Sequence, residues 1–428
     1  MKKKLLICIM ALSCVMSFSA CGLVARMVMQ NQAEESEKVA VEESTETVEE
    51  SSEESTESEE STESSEQVQR PAVDTPSELS DDLYSFQVSI EGTVYQVPMW
   101  FSDFESQGWT FRGDATETLG SNRYTISEDW ERDDFKVQSS IANLSMNDQL
   151  FSQCAVAGLT FDNYYLKDCD WEIILPKNIQ YKVSSKQDIL DAYGTPTSDY
   201  EGSLYYKMNY EYDYHREISL YVYNESGVLE KIEMRNFVEL EGTDNSVSSE
   251  VPDIVKNYSA PKSLGGDFNS FNFELDGNVY TLPCPVSELV ANGLSIKTDS
   301  SPTELSAGGF GQVELRYNNQ SFRVSVKNFA DYATITENCF VTSISTGNTY
   351  SPVLELTIPG GITLGDSEET VKQKLGDYYY DTETTDRDWR YYKVYKSKDE
   401  GRYSKYEIVI RDDAVVGISV ENSRKPEY

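Results

Sequence analysis

From residue 81 onward, apolar and polar positions alternate with a period of two in many short runs, the pattern of half-buried strands. Two of these runs are nearly one phrase. "SFQVSIEGTVYQVP" (85–98) and "SFNFELDGNVYTLP" (270–283) lie 185 residues apart, and each reads as a hairpin about a two-residue turn, Glu91-Gly92 or Asp276-Gly277. Such a turn fixes the register. Val88 then opposes Tyr95 and Phe86 opposes Val97 in the first, while Phe273 opposes Tyr280 and Phe271 opposes Leu282 in the second. One face is apolar in each case; Asn272, Glu274 and Thr281 fall on the other.

The offset persists beyond the hairpins. Ser102 to Gly108 and Ser287 to Gly293 each predict a short helix with a Ser N-cap and a Gly stop. Asn143 matches Asn328 and Cys154 matches Cys339, again 185 apart. Farther on the offset becomes 182: Ser184 with Gln187, and Asp366 with Glu369, are spaced as capping boxes before helices that end at Gly194 and Gly376. These matches predict an α+β chain built as a tandem duplication of a module of antiparallel strands with short helices. Module 1 is expected over 81–240, a polar linker over 241–263 and module 2 over 264–428.

The second half of each module predicts a helix followed by a strand meander, "ITLGDSEETVKQKLGD" leading to the closing "VVGISVEN" being the clearer case. Residues 179–235 and 362–421 resemble the helix-plus-meander unit of the SmpA/OmlA outer-membrane lipoproteins and the beta-lactamase inhibitor proteins, on the "G-x-x-x-x-x-V-x-x-x-x-G" helix and the Tyr-rich strands. The first copy carries "YGTP" after its helix as those families do; the second has "LGDY", and Tyr181-Lys182-Val183 replaces the usual Gly before the first helix. The resemblance implies a binding or assembly role without catalysis. The whole pattern resembles uncharacterised Gram-positive surface lipoproteins.

Charge changes the picture at the amino terminus. Residues 1–33 carry +4 and residues 34–66 carry −14, so the formal total of −38 leaves −28 for residues 67–428. A field of that sign argues against nucleic acid and anionic headgroups as partners. Lys2-Lys3-Lys4, an apolar run from Leu5 to Phe18 and small residues form a secretory signal pattern over residues 1–21. It closes on Phe18-Ser19-Ala20-Cys21, which resembles the lipobox of bacterial lipoproteins with Phe18 in place of the usual Leu; Cys21 would then carry a diacylglyceryl group. An uncleaved anchor helix is the alternative. Either way the chain is expected outside the cytoplasm, anchored to the cell membrane. The Glu/Ser/Thr-rich stretch over 22–80 is expected to be a disordered stalk, since it has too few apolar residues to offset the entropy of ordering.

Catalytic constellations are scarce. His215, inside "YEYDYHREI", is the chain's single histidine, so neither a His-based triad nor a His-cluster metal site can be assembled; it reads as a surface or edge-strand residue. No catalytic, metal or cofactor-binding residues are assigned and no cofactor is expected. "SEDWERDD" (127–134) and "DTETTDRDW" (381–389) place acids beside Trp, which leaves a carboxylate-based cell-envelope hydrolase as the alternative to a non-catalytic binding protein. With Cys8 and Cys14 removed in the signal and Cys21 lipidated, four cysteines remain outside the cytoplasm, which permits Cys154 with Cys169 and Cys284 with Cys339, or four buried thiols. Tyrosines are the remaining feature, nine between Tyr193 and Tyr223 and eight between Tyr378 and Tyr406. Tyr210, Tyr212 and Tyr214 alternate with Asn209, Glu211 and Asp213. That predicts a strand with one tyrosine face: a core face, which half-buried meanders favour, or an exposed platform for an envelope glycan or protein ligand.

Overall fold

The computed structural model describes residues 76–427, except 134, 167–169, 211–212, 224, 348–352, 386–387, 398–400 and 402. The signal, Cys21 and the stalk as far as residue 75 therefore lie outside the described residues, as do Cys169 and Tyr212.

Antiparallel pairing dominates. In the first half, β1 (Gln87–Ile90) and β2 (Thr93–Gln96) form the expected hairpin with Val88 opposite Tyr95. There follow α1 (Phe101–Ser106), β3 (Glu128–Arg132), β4 (Phe135–Asn143), β5 (Ala155–Asp162), β6 (Ile173–Leu175) and α2 (Lys186–Tyr193). A meander of β7 (Ser198–Tyr200), β8 (Ser203–Lys207), β9 (Arg216–Val222) and β10 (Leu229–Asn236) closes the half. Within the main sheet the order runs β7-β8-β9-β10-β5-β4-β3, while β6, β1 and β2 belong to a small sheet. After α3 (Asp253–Lys256), the second half supplies β11 (Asn272–Leu275), β12 (Asn278–Thr281), α4 (Val286–Ala291), β13 (Phe310–Tyr317), β14 (Gln320–Lys327), β15 (Phe340–Thr346) and β16 (Leu356–Thr357). Then come α5 (Glu368–Leu375) and the meander β17 (Tyr380–Thr384), β18 (Arg390–Val394), β19 (Ser404–Arg411) and β20 (Ala414–Asn422). Its main sheet runs β17-β18-β19-β20-β15-β14-β13, and Phe273 stands opposite Tyr280 in the β11-β12 hairpin.

Period-two patterning decides which side of each sheet is buried. Leu204 and Tyr206, Ile218 and Leu220, and Ile232 and Met234 point into a core that draws only on residues 83–234, with Phe104, Trp109, Trp130 and Phe161 among its large side chains. A second core draws on residues 268–420, including Phe273, Tyr280, Tyr392, Tyr406 and Ile408. Each Leu, Ile or Phe buried in this way contributes about 1.5–3 kcal/mol relative to leaving it in water.

Three details of the helices and the linker differ from expectation. Ser102 and Ser287 do not cap; Trp100 and Pro285 occupy the N-cap positions without a side-chain bond, although Gly108 and Gly293 do follow at φ +90 and +98. The N-caps sit one residue later, with a reciprocal capping box only at the first: Ser185 accepts from Asp188 N and Ser367 from Thr370 N, because these serines and not Ser184 or Asp366 are the last extended residues. The polar stretch 241–263 is docked rather than loose, with Ser248 bridging to Thr334 and Val255 packed with Phe329 and Phe340. The halves also meet through loops that correspond at the 185-residue offset. Asp148 N donates to Asp331 O (3.1 Å) and Ala333 N to the Asn147 side-chain oxygen (2.7 Å), while Asn147 Nδ2 reaches Ser246 O (3.1 Å).

Candidate functional site

Of the tyrosines singled out by alternation, Tyr210 and Tyr214 lie outside any strand, and Tyr212 lies outside the described residues. Residues 208–210 and 213–215, between β8 and β9, form no strand, since the Asp213 carboxylate bonds backbone that a ladder would otherwise use. Its Oδ1 accepts from His215 N and Arg216 N (both 3.2 Å), its Oδ2 accepts from Asn209 Nδ2 (2.6 Å), and Asp213 N donates to Tyr210 O (3.0 Å). Tyr210 is 49% and Tyr214 54% exposed, so neither is core; Tyr214 instead lies under the Lys207 ammonium, 3.9 Å from its ring centroid. His215 is not on a strand either. It sits half-buried just before β9, between the rings of Tyr124 (6.2 Å) and Phe237 (5.7 Å).

A tyrosine face does exist, four strands wide, one register away. On the side of the meander opposite the core, one cross-strand row reads Tyr200, Ser203, Tyr221, Lys231 and Asp162, and the next reads Ser198, Tyr205, Ser219, Glu233 and Thr160. A third row holds Lys207, Glu217 and Arg235. Tyr223 follows at the end of β9 beside the Glu201-Gly202 turn, where Val222 N donates to Gly202 O (3.0 Å). That turn needs glycine: Gly202 has φ +89, and a Cβ there would strike the Val222 carbonyl. Tyr200 is 67% and Tyr223 46% exposed, whereas Tyr205 and Tyr221 are half-buried with their rings edge to face at 6.1 Å.

The polar groups around these rings are bonded to one another. Glu233 accepts from Tyr221 OH (3.2 Å) and pairs with Lys231 (2.9 Å) and Arg235 (3.2 Å), and Lys231 also reaches Asp162 (3.3 Å). Burial, and then the Glu233 carboxylate, push the Tyr221 hydroxyl well above the ordinary tyrosine value, so it stays a neutral donor. Burial works against the Lys231 ammonium, yet Glu233 and Asp162 outweigh it and hold its pKa above the usual lysine value. At the far side Lys207 and Glu217 face each other at 3.5 Å with side chains only 7% and 6% exposed. Ser219 Oγ donates to Glu217 Oε1 (2.8 Å); Oε2, among the described residues, has no hydrogen bond and is held by the ammonium alone.

Sequence reasoning missed this face because it weighted the longest visible tyrosine alternation. The signal was present in the "EG" of "SDYEGSLYYK", the same two-residue turn as Glu91-Gly92, which places Tyr200 and Tyr205 on one side of a hairpin, and in "ISLYVY", which places Tyr221 and Tyr223 together.

Of the acids beside tryptophan, Glu131 lies on β3, bonded to Lys136 (2.9 Å) and Arg112, and these bonds hold it below the usual carboxylate range; Trp130 beside it is core. Residues 380–384 form the edge strand β17. Cys284 and Cys339 are free buried thiols, and burial raises both, Cys339 to about 12. Cys154 is buried with its thiol directed at Leu150 O (3.3 Å), the same contact that Cys339 makes to Ile335 O (3.6 Å). A crevice lined by Trp100, Asn143, Cys154 and Thr243 holds about 10 Å³, the room of a single water. Among the described residues no group of three or more His, Cys, Asp or Glu side chains is arranged to hold a metal, and no helix is long and apolar enough to cross a membrane. Compared with protein families, curated proteins and solved structures, the chain matches none.

Proposed function

We propose that the chain is a membrane-tethered extracytoplasmic lipoprotein that binds an envelope protein or glycan without chemistry, using the outer face of β7–β10. The observation that carries this reading is the tyrosine row itself. Tyr200 and Tyr223 are large, amphipathic and solvent-facing on a rigid meander, and rings of that kind supply contact area at low entropic cost. The anchor rests on the apolar run ending in "FSACG", and the acidic stretch up to residue 80 would act as the tether. The two halves fit a tandem duplication: their main sheets share one strand order, their first hairpins share a register, and their matched loops meet at the junction.

Two measurements test the proposal. Mass spectrometry of the membrane fraction should find diacylglyceryl Cys21 at the mature amino terminus; an intact Met1 peptide as the dominant species would refute the anchor. A screen of the full chain against cell-wall glycans and secreted proteins should find saturable binding without turnover, lost in the Tyr200→Ser/Tyr223→Ser variant. Release of a product in that screen would replace binding by hydrolysis.

A further inference from the structure

Resting on that reading, the shape and charge of the face narrow its ligand. Ser203 lies between Tyr200 and Tyr221 in a single cross-strand row. Strands stand about 4.8 Å apart, so the two tyrosines rise about 10 Å from each other over a small residue. Tyr205 lies one row on, its ring edge to face with that of Tyr221 at 6.1 Å. A cation stacked on one ring needs about 3.5 Å, so the roughly 10 Å between these two positions leaves a notch over Ser203 with room for one guanidinium or ammonium group against a single ring face. The molecule already holds a guanidinium against two rings of its own: Arg132 lies 4.8 Å from the Trp109 ring and 4.5 Å from the Trp171 ring, in the corner where those rings meet at 62°.

Charge points the same way. The cations of the face are already matched, Lys207 with Glu217, Arg235 with Glu233, and Lys231 with Glu233 and Asp162. Lys231 covers Tyr221 from the β10 side, its ammonium 5.1 Å from the ring, away from the notch. Glu201 and Glu225 stand exposed at the turn tips beside Tyr200 and Tyr223, in a chain whose residues 67–428 carry −28. An anionic polymer is repelled by this surface and an uncharged sugar ignores its charge, whereas a basic chain gains from both charge and rings.

We infer that the Tyr200-Ser203-Tyr221 notch seats a lysine or arginine side chain of a basic polypeptide partner. The test titrates the full chain, at physiological ionic strength, with a fluorescent oligoarginine peptide one strand long. Because the acidic segment 34–66 also attracts this probe, every comparison keeps that segment and the total charge unchanged. Tyr200→Ser should weaken binding about fivefold, which is about 1 kcal/mol, while Tyr200→Phe, which keeps the ring, should bind as the wild type does. Ser203→Phe should fill the notch and weaken binding at least as much; its unchanged circular dichroism would show that the sheet is intact.

Equal affinity of the wild type, Tyr200→Ser and Ser203→Phe would overturn the inference by assigning the attraction to the acidic segment. A chito-oligosaccharide run in parallel separates this inference from the reading beneath it. Sugar binding lost in Ser203→Phe, with peptide binding indifferent to the notch, would overturn the basic partner and leave the binding function standing. Indifference of both probes to all three variants would overturn both.

Discussion

Across β7, β8, β9 and β10 the outer face reads Tyr200, Ser203, Tyr221 and Lys231, then Ser198, Tyr205, Ser219 and Glu233; across β17, β18, β19 and β20 it reads Glu383, Tyr391, Val409 and Gly417, then Asp381, Lys393, Glu407 and Ser419. The inner rows tell the opposite story. Tyr206, Ile218 and Met234 in one sheet, and Tyr392, Ile408 and Ile418 in the other, are all buried. Core positions are held apolar by the cost of exposing them, so they stay alike wherever the strand order is the same. Outer positions are freer of that constraint, although Ser219 and Val409 among them are buried. Although the strand order is shared, these outer rows differ: three tyrosines, Tyr200, Tyr205 and Tyr221, stand in the first half and one, Tyr391, in the second.

The largest effect should come from tyrosines that look alike in sequence but differ in burial. Replacing Tyr391, Tyr392 and Tyr395 by Ser removes two side chains that are 3% and 8% exposed, Tyr392 and Tyr395, each worth about 3 kcal/mol or more. Loss of a cooperative unfolding transition is expected. Tyr210→Ser/Tyr214→Ser alters two half-exposed rings of the β8-β9 loop and should cost about 1 kcal/mol or less. Denaturant midpoints of the two variants check the contrast; similar losses would mean that the loop is part of the core.

A smaller difference is expected between two cross-strand Lys-Glu pairs of the meanders, Lys207 opposite Glu217 and, one row nearer the closing hairpin turn of its meander, Lys393 opposite Glu407. Lys207→Met leaves Glu217 buried with no counter-ion and should cost about 3 kcal/mol. Lys393 bonds chiefly to Glu383 (2.8 Å), with side chains 34% and 61% exposed, so Lys393→Met should cost less than about 1 kcal/mol. Equal costs, read from the same denaturant series, would show that the first pair is solvated.

How far the sequence foretold this molecule depends on the range of the interaction. Two-residue turns are local, so Glu91-Gly92 and Asp276-Gly277 gave the hairpin registers correctly, and the helix-then-meander order was readable from Gly194 and Gly376 and the alternating runs behind them. The cap positions slipped by one because neighbouring Ser residues offer the same chemistry and only the backbone conformation chooses between them. Tyr210 and Tyr214 misled because strand alternation and a polar segment stabilised by Asp213 write the same letters. Nothing in "YEYDYH" reveals that the Asp213 carboxylate will be buried and capture backbone amides. The actual face required knowing which strands become neighbours, since Tyr200 and Tyr221 are brought into one row by Ser203, which pairs with each from the strand between them.

The smallest effect separates the halves by pH, because the single histidine lies in the first. His215 is packed between Tyr124 and Phe237, and its carbonyl accepts from Phe237 N (2.9 Å). Burial lowers its pKa, Asp213 opposes that in part, and Arg235 on the adjacent strand adds to it. The native state therefore prefers the neutral ring. Above the unfolded value of about 6.5 both states are neutral and stability is unaffected. As pH falls below that value the unfolded chain takes up the proton first, and stability declines until the depressed native pKa is passed, where the loss levels off. Amide exchange in 208–215 should accelerate between pH 7 and pH 5 relative to β18 and β19, whose half carries no histidine, and His215→Phe should remove the difference. Exchange in the loop that follows pH no differently from those strands, or a difference that survives His215→Phe, would assign the response to the carboxylates common to both halves.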